Sequence, residues 1–266
     1  MTTDQNGGLV NVRVDRRGEH GHVVTVSINN QTRLNSLSSA VMAAFIDAVR
    51  HAALDPDLRC LIVTGEGDRS FIGGANLLEL ETLTPDTARA FLTQVHTASQ
   101  VLRDLPVPAI ARVNGFCLGA GLEIMAACDM HVASDTALFG MPEVNIGVPS
   151  VVEAALLPQL IGWGRTKLLL YTGEQIGAKT ALAWGLVERV VLLADLDRAV
   201  EDWVSAIVAS GPRAIRLQKE LIREWEAMPV NDAIQAGIRM MGRAYETDEP
   251  RRMIAAARER LRTRKK

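Results

Sequence analysis

The sequence of 266 residues is long enough for one large domain or two modest ones. Hydrophobic residues make up 48% of it and charged residues 23%, an ordinary globular composition that argues against a disordered chain. Its 29 basic and 31 acidic residues give a net charge of −2, which argues against nucleic-acid binding through bulk charge.

The lack of a recognisable targeting signal and the spacing of the cysteines indicate the cellular compartment. No uncharged stretch reaches the ~18 apolar residues of a membrane span, and the polar start, residues 1–8, lacks the apolar stretch of a secretory signal. Cys60, Cys117 and Cys128 form an odd set without CxxC spacing, which is typical of buried thiols in a reducing compartment. We therefore expect a cytoplasmic protein.

The first third of the chain predicts strands on either side of a helix. Alternation and β-branched residues indicate strands at 10–14 and 23–28, and 59–64 reads as a short buried strand. Between them, a serine within 34–38 can cap a helix that runs to about Ala53. The apolar residues of this helix recur at three- and four-residue spacing: Val41, Phe45, Ala48, Val49 and Ala52.

The middle of the chain continues the alternation of strands and helices. Residues 71–76 read as a glycine-rich loop, and a helix is predicted over about 86–103. A strand at 109–113, a helix through Glu123 to Ala127 and a strand at 130–133 follow. This order indicates a parallel, right-handed α/β arrangement.

Beyond about Asp195 the strand signal disappears. Four amphipathic helices are predicted there, at 196–209, 212–227, 230–245 and 249–261. We therefore predict an α/β core over residues 1–195 and a C-terminal helical region over 196–266. This helical region is expected to pack on the core or on a neighbouring subunit.

The segment from Asn114 to Asp129 is the richest in candidate chemistry. A predicted strand ends, glycines permit a tight turn, and a helix begins, so that exposed N–H groups with partial positive charge suit a phosphate or a developing oxyanion. Gly119 and Gly121 also resemble part of a dinucleotide fingerprint, but Ile124 stands where its third glycine is expected.

Two glutamates follow glycine- or proline-containing loops. Glu123 lies within an otherwise apolar helix, where it either faces solvent, pairs with an arginine or has a function. Glu143 follows Pro142, whose fixed φ can aim a second carboxylate. The two carboxylates would form an acid–base pair with opposed pKa shifts if their loops meet, which sequence alone does not establish.

Three motifs in order resemble the crotonase, or enoyl-CoA hydratase/isomerase, superfamily. They are Phe71-x-Gly-Gly-Ala75, then Asn114-Gly-x-x-Leu-Gly-Ala-Gly-Leu-Glu123 with Cys128-Asp129, then Phe139-Gly-x-Pro-Glu143-x-x-x-Gly147. The likeness covers nearly the whole chain. It implies an α/β fold, a ββα spiral core with a C-terminal helical region, in a trimer or a dimer of trimers.

The resemblance also implies an activity and a set of site residues. It implies an enoyl-CoA hydratase, a lyase of fatty-acid or related acyl-CoA metabolism that needs no cofactor or metal, since coenzyme A is part of its substrate. Glu123 and Glu143 correspond to the two glutamates that hold the water, and the Ala75 and Ala120 amides correspond to the donors to the thioester oxygen. The residues implied in substrate or CoA binding are Arg33, Leu34, Gly74, Asn76, Leu77, Gly119, Pro142, Gly147 and Tyr245.

Several residues depart from the family pattern. Family hydratases often read Pro-Gly-x-Gly-Gly after Gly147, whereas this chain has Pro-Ser-Val-Val-Glu over residues 149–153, which narrows the acyl pocket. Glu153 either adds a third carboxylate or begins a helix, and the helix is favoured. Asn76 replaces a common aspartate, Arg33 replaces a frequent alanine at the adenine contact, and Ala120 replaces a glycine, harmlessly if its φ is negative.

Other functions stay open at the level of sequence. An isomerase or an acyl-CoA hydrolase would use the same oxyanion donors. From another class, a non-catalytic or RNA-binding member of the fold is opposed by the net charge and by the intact glutamate pair. The remaining histidines and Ser150 have no recognisable catalytic partners in the sequence.

Overall fold

The computed structural model describes residues 2–5 and 8–263, within which eleven strands and ten α-helices form. The strands are β1 Thr2–Gln5, β2 Val10–Arg16, β3 His22–Ile28, β4 Leu58–Gly65, β5 Ser70–Ile72, β6 Ala109–Val113, β7 Phe116–Leu118, β8 Met130–Ser134, β9 Leu138–Gly140, β10 Gln175–Gly177 and β11 Arg189–Val191. The α-helices are α1 Ser39–Ala53, α2 Leu77–Leu80, α3 Pro85–Arg103, α4 Ala120–Ala126, α5 Leu157–Thr172, α6 Ala178–Trp184, α7 Leu196–Ala209, α8 Pro212–Trp225, α9 Val230–Ala244 and α10 Glu249–Thr263.

The strands form two sheets that the chain visits in turn. The larger has the order β1-β2-β3-β4-β6-β8-β11, and the smaller has the order β10-β9-β7-β5. After β4, β6 and β8 in the larger sheet, the chain adds β5, β7 and β9 to the smaller one before its next helices. This repeated strand–strand–helix turn is the predicted ββα spiral, and it brings the segments after successive strands close together.

Local sequence signals explain the two long helices of this core. The side chain of Ser38 caps α1 by accepting the Val41 N–H at 3.3 Å. The predicted apolar face is buried, and each fully buried large side chain such as Phe45 contributes about 1.5–3 kcal/mol of transfer free energy. In α3, Thr84 and Thr87 form a reciprocal capping box, and Pro85 occupies the first helical position.

The apolar core draws on both sheets and on the helices that cover them. Val26 and Val63 are paired residues of β3 and β4, and neither is exposed to solvent. Phe71 of the smaller sheet and Leu122 of α4 are likewise fully buried in the same cluster. The core therefore fixes α4 against the strands that precede it.

Two expectations need correction. The predicted loop at 71–76 begins in a strand, and Phe116–Leu118 and Leu138–Gly140 are also strands where loops were expected. Strands of three residues carry too few positions for a period to be visible, and their pairing partners lie far away in the chain. The predicted parallel sheet also has an antiparallel edge, because β1, β2 and β3 pair antiparallel.

The chain divides into two compact units, one up to Val204 and one from Ser205 onwards. The described part of the second unit is helical, in agreement with the predicted helical tail. Within this unit α8 packs on α9 through a small apolar cluster of Leu217, Leu221, Ala236 and Met240. Glu249 accepts the N–H groups of the residues that open α8, Arg213 and Ala214. The division into domains at residue 195 stays a prediction.

Two further features concern the expected compartment. Among the described residues, no helix is both long enough and apolar enough to cross a membrane. Cys60, Cys117 and Cys128 are all buried and none of them forms a disulfide bond, as the sequence predicts.

Candidate active site

The segment between β6 and α4 presents a peptide N–H at the start of a helix. The side-chain amide of Asn114 donates to the Gly65 carbonyl at 2.9 Å and fixes the chain where it leaves β6. Gly119 adopts φ 52° and ψ −123°, which favours glycine, and Ala120 then begins α4. Within the described chain, the Ala120 N–H has no acceptor. The φ of Ala120 is not positive, so alanine replaces glycine without strain.

A second peptide N–H without an acceptor comes from the segment after β5. Leu37 and Ala75 form an isolated parallel bridge in which the Leu37 N–H donates to the Gly74 carbonyl and the Asn76 N–H donates to the Leu37 carbonyl, both at 2.8 Å. In this bridge the Gly74 carbonyl and the Asn76 N–H bond to Leu37. The N–H of Ala75 itself points away from Leu37. The described residues offer that N–H no acceptor.

The two segments approach each other closely. A Cβ placed on Gly74 would lie 3.2 Å from the Leu118 carbonyl oxygen, and one placed on Gly119 would lie 4.0 Å from the Gly74 Cα. The backbone can come this near only where side chains are absent. Two unpaired N–H groups on adjacent segments are suited to an oxygen on which negative charge develops.

Glu123 projects from α4 in surroundings that disfavour its charge. Its side chain is buried, with 6% of the residue exposed, and its Oε1 accepts the Ala154 N–H at 3.2 Å. Burial, followed by the nearby charge of Glu143, raises the pKa of Glu123 from 4.5 to about 8, with a further increase from Glu153, while the Ala154 hydrogen bond lowers it. Glu123 is therefore protonated at neutral pH.

Glu143 reaches the same place from a different element. It lies in a 3-10 turn, Pro142–Ile146, which directly follows β9 and ends at Gly147 with φ 80°. Its Oε1 lies against the Cα of Gly119, where a Cβ would collide with it. The Ser150 hydroxyl donates to its Oε2 at 2.7 Å. The two predicted glutamate-bearing segments therefore meet.

Glu153 is both a third carboxylate and part of a helical turn, the two alternatives that the sequence left open. It lies in a 3-10 turn, Val152–Leu156, that leads into α5, and it is also a third carboxylate, with 6% exposure, whose charge acts on Glu123. Its Oε1 lies 2.6 Å from Nδ1 of His96 on α3. The preceding Val152 has φ 36°, an unusual value for a β-branched residue.

Sequence reasoning missed Ser150 and His96 as neighbours of the carboxylates. His96 and Glu153 are 57 residues apart, and no local pattern joins them. For Ser150 a signal existed, because it occupies the first glycine position of the family's Pro-Gly-x-Gly-Gly segment beside the second glutamate.

The other predicted binding residues are more dispersed. Asn76 caps α2 by accepting the Leu78 N–H, and Leu77 is exposed at the start of that helix. Leu34, with φ 53°, accepts the Gly73 N–H through its carbonyl and thus borders the Ala75 segment. Arg33 is exposed in the preceding turn. Tyr245 lies in the second unit at the end of α9, with 46% of its surface exposed.

Among the described residues, no group of three or more His, Cys, Asp or Glu side chains lies together in a way that could hold a metal ion.

Comparisons with known proteins identify the family of this chain. The sequence profile of the enoyl-CoA hydratase/isomerase family matches residues 18–264. The chain belongs to this family. A short-chain-enoyl-CoA hydratase of Clostridium acetobutylicum is 31% identical over 249 residues, which cover 93% of this chain and 94% of the relative. A crotonyl-CoA hydratase of Syntrophomonas wolfei is 33% identical over 230 residues, 86% of this chain and 88% of the relative.

Solved structures of the family show the same fold. The enoyl-CoA hydratase of Bacillus anthracis superposes with a TM-score of 0.88 at 31% identity, over 94% of this chain and 96% of that one. The enoyl-CoA hydratase of Mycobacterium smegmatis superposes with a TM-score of 0.89 at 28% identity, over 96% of this chain and 97% of the other. The crotonase-type fold predicted from the motifs is confirmed, and the chain is an enzyme of the enoyl-CoA hydratase family.

Proposed function

We propose that the enzyme adds water across the 2,3 double bond of a 2-enoyl-CoA thioester, in fatty-acid or related acyl-CoA metabolism. The observation that carries this proposal is the meeting of Glu123 and Glu143 beside two unpaired backbone N–H groups. The named hydratases among its relatives support the same reaction.

The backbone donors account for activation of the thioester. Attack of water at C3 moves electrons towards the thioester oxygen and gives it enolate character. The N–H groups of Ala75 and Ala120 would bind that oxygen more strongly as its charge grows. Such donors lower the barrier selectively, and loss of one typically costs about 3–4 kcal/mol.

The carboxylates account for the water and its protons. At neutral pH Glu123 holds a proton, because burial and the charge of Glu143 raise the pKa of Glu123 to about 8. A water between Glu123 and Glu143 can give one proton to Glu143 and its oxygen to C3, while the carboxylic acid of Glu123 supplies a proton to C2. One proton enters the pair and one leaves it, so the reaction is balanced with no cofactor.

The proposed contacts to the rest of the substrate follow the family motifs. Arg33 is exposed and would meet a phosphate of the CoA moiety. The other residues proposed to contact acyl-CoA are Leu34, Gly74, Asn76, Leu77, Gly119, Pro142, Gly147 and Tyr245.

We also propose that the chain forms a homotrimer or a dimer of trimers, with the helices of residues 196–266 contributing to association. One side of α9 supports this, because apolar residues at three- and four-residue spacing are exposed there, with 75% exposure for Val230 and 62% for Ile238. The exposed members are Val230, Ile234, Ile238, Met241 and Tyr245. Analytical ultracentrifugation tests the proposal, and a monomer at micromolar concentration would refute it.

The first test follows crotonyl-CoA through the absorbance of its enoyl-thioester band. Wild-type enzyme should remove the band, and Glu123→Gln and Glu143→Gln should each slow the reaction by about 10²-fold or more, the scale of general acid–base catalysis. Glu19→Gln, at a glutamate exposed in the Gly18–His20 turn, serves as the control and should leave the rate unchanged.

Other outcomes identify other members of the superfamily. Equilibration of a 3-enoyl-CoA without incorporation of labelled water would indicate an isomerase, and release of free CoA thiol would indicate a hydrolase. Binding of CoA esters without turnover would indicate a non-catalytic member. Salt-dependent RNA retention that both substitutions leave unchanged would indicate an RNA-binding member.

A further inference from the structure

A groove runs between β2 and α1, away from the residues assigned to hydration. Its volume is about 910 Å³, within the range of about 300–1,000 Å³ that small-molecule sites occupy. The residues that line it come from the ranges 8–24 and 44–56, and none of them belongs to the candidate active site. The groove is therefore a separate feature of the molecule.

One wall of the groove is an apolar face of β2. Val10, Val12 and Val14 alternate with polar residues along the strand, so they lie together on one face of the sheet. Such a face of an antiparallel sheet normally packs on the core. Here α1 covers it only in part, since all three valines are only partly buried. An apolar strip left open in this way is typical of a binding surface.

The opposite wall is a face of α1 that carries small side chains. Ala44, Ala48 and Ala52 repeat at four-residue spacing and therefore lie one above the other along the helix. Because alanine carries only a methyl group, this face leaves space between the helix and the valines of β2. The result is an elongated apolar slot.

One end of the slot is polar and cationic. Arg16 and His22 are direct partners across β2 and β3, so their side chains share a face of the sheet. Among the described residues the exposed guanidinium of Arg16 has no acceptor. His22 is buried, with 6% exposure, and its Nε2 lies 3.1 Å from Oδ2 of Asp55, but its Nδ1 has no partner among the same residues. The other ionisable residue that lines this end is His51.

We propose that this groove binds a free long-chain fatty acid, with the acyl chain between β2 and α1 and the carboxylate at Arg16 and His22. The strand from Val10 to Arg16 covers about 20 Å at a rise of about 3.3 Å per residue, which suits an extended long acyl chain. Arginine binds carboxylates through paired, charge-assisted hydrogen bonds.

A fatty-acid anion uses both features of the groove at once. Its methylene groups would cover the half-open valine face, and its carboxylate would neutralise Arg16 at the polar end. The acyl group of a CoA thioester lacks that carboxylate. The proposal does not rest on the proposed hydration, because the two sites share no residue.

The direct test is the binding of palmitate labelled with ¹³C at its carboxyl carbon, followed by NMR below its critical micelle concentration. One molecule should bind per chain, with a shifted carboxyl signal. Affinity should rise from octanoate through laurate to palmitate, by up to about fourfold for each methylene group buried. Methyl palmitate, which has no charge, should bind about tenfold more weakly than palmitate.

Two pairs of variants locate the bound acid. Ala48→Phe fills the slot and should abolish palmitate binding, whereas Ala43→Phe, at an exposed position of α1 outside the groove, should leave it unchanged. Arg16→Gln should weaken palmitate binding by about tenfold and leave methyl palmitate unaffected. Arg13→Gln, on the opposite face of β2, is the matched control.

Palmitate binding that is the same in the wild type and in Ala48→Phe would overturn the inference, as would an affinity that does not depend on chain length. Displacement of palmitate by acetyl-CoA would place it in the active site instead. A changed sedimentation coefficient of Ala48→Phe with unchanged palmitate binding would make the groove an interface between copies of the chain. If Ala48→Phe does not fold, Arg16→Gln, at an exposed side chain, decides the question through its contrast between palmitate and methyl palmitate.

Discussion

The two proposed catalytic glutamates lie in contrasting regions of the molecule. Every residue of α4, which carries Glu123, is buried, whereas the six residues that follow Glu143 in the chain, 144–149, are exposed. Burial keeps a proton on Glu123, and the Ser150 hydroxyl holds the carboxylate of Glu143. The difference in burial fits the opposite tasks that the proposed mechanism gives to these two identical side chains.

The backbone of Gly119 is the place where the two regions touch, so a side chain there should have the largest effect. Gly119→Ala places a Cβ against Glu143 Oε1 and strains the oxyanion segment, because φ is 52°. We expect the hydration rate to fall by about 10³-fold, the upper range for loss of an oxyanion donor. Gly162→Ala is the control, since Gly162 has φ 79° but open space around it. If Gly162→Ala lowered the hydration rate as much as Gly119→Ala, the effect would come from backbone strain alone.

The burial of Glu123 should be measurable as a pH-dependent loss of stability. The folded state binds a proton at Glu123 up to about pH 8, whereas the unfolded chain releases it near 4.5, so stability falls as the pH rises through this window. Between pH 5 and pH 8 the loss should be about 3 kcal/mol, and Glu123→Gln should abolish it. Urea unfolding at both values measures the difference. If the free energy of unfolding had the same pH dependence in the wild type and in Glu123→Gln, burial would not be the cause of the raised pKa of Glu123.

Removing the hydroxyl of Ser150 tests how the more exposed glutamate is held. Ser150→Ala should lower kcat/KM for crotonyl-CoA by about tenfold, because one hydrogen bond to a charged group contributes about 1.5–3 kcal/mol at most. Ser150→Thr keeps the donor and should recover part of the rate. Equal losses in Ser150→Ala and Ser150→Thr would indicate a packing effect only.

The smallest expected effect concerns the strained backbone beside these carboxylates. Val152 has φ 36°, whereas its neighbour Val151 is extended with φ −138°. Glycine at position 152 relieves the strain of the positive φ, whereas glycine at position 151 only makes the unfolded chain more flexible. Val152→Gly should therefore lower the free energy of unfolding by about 1 kcal/mol less than Val151→Gly does. Thermal unfolding of the two variants provides the comparison. The opposite order would mean that Val152 packing outweighs the strain.

Much of the fold could be read from the sequence wherever an element carries its own signals. Ser38 and the spacing of Phe45 and its neighbours define α1, and the helices from Leu196 onwards show clear apolar faces. The three-residue strands of the smaller sheet had no such signal. Their conformation is set by pairing with distant strands, as Phe116–Leu118 does with β5 and β9.

The residues of the candidate site fall into the same two groups, those that sequence motifs mark and those that only tertiary packing brings together. Glu123, Glu143 and the peptide groups of Ala75 and Ala120 were predicted because motifs mark them. His96 was missed, since its contact with Glu153 exists only after α3 and the turn before α5 have packed together. The positive φ of Val152 was also missed, although the family pattern has glycine, the residue that most readily adopts a positive φ, at that position.

The three buried cysteines have a consequence for the chemistry of the proposed substrate. A 2-enoyl thioester is a Michael acceptor, and a thiolate would add to the same carbon that water attacks, with alkylation of the protein as the result. Cys117 lies in β7, three residues before Ala120 in the chain, but burial and the neighbouring Cys128 raise its pKa, so it persists as the less reactive thiol. With the proposed substrate, burial in the core would therefore protect this cysteine from alkylation.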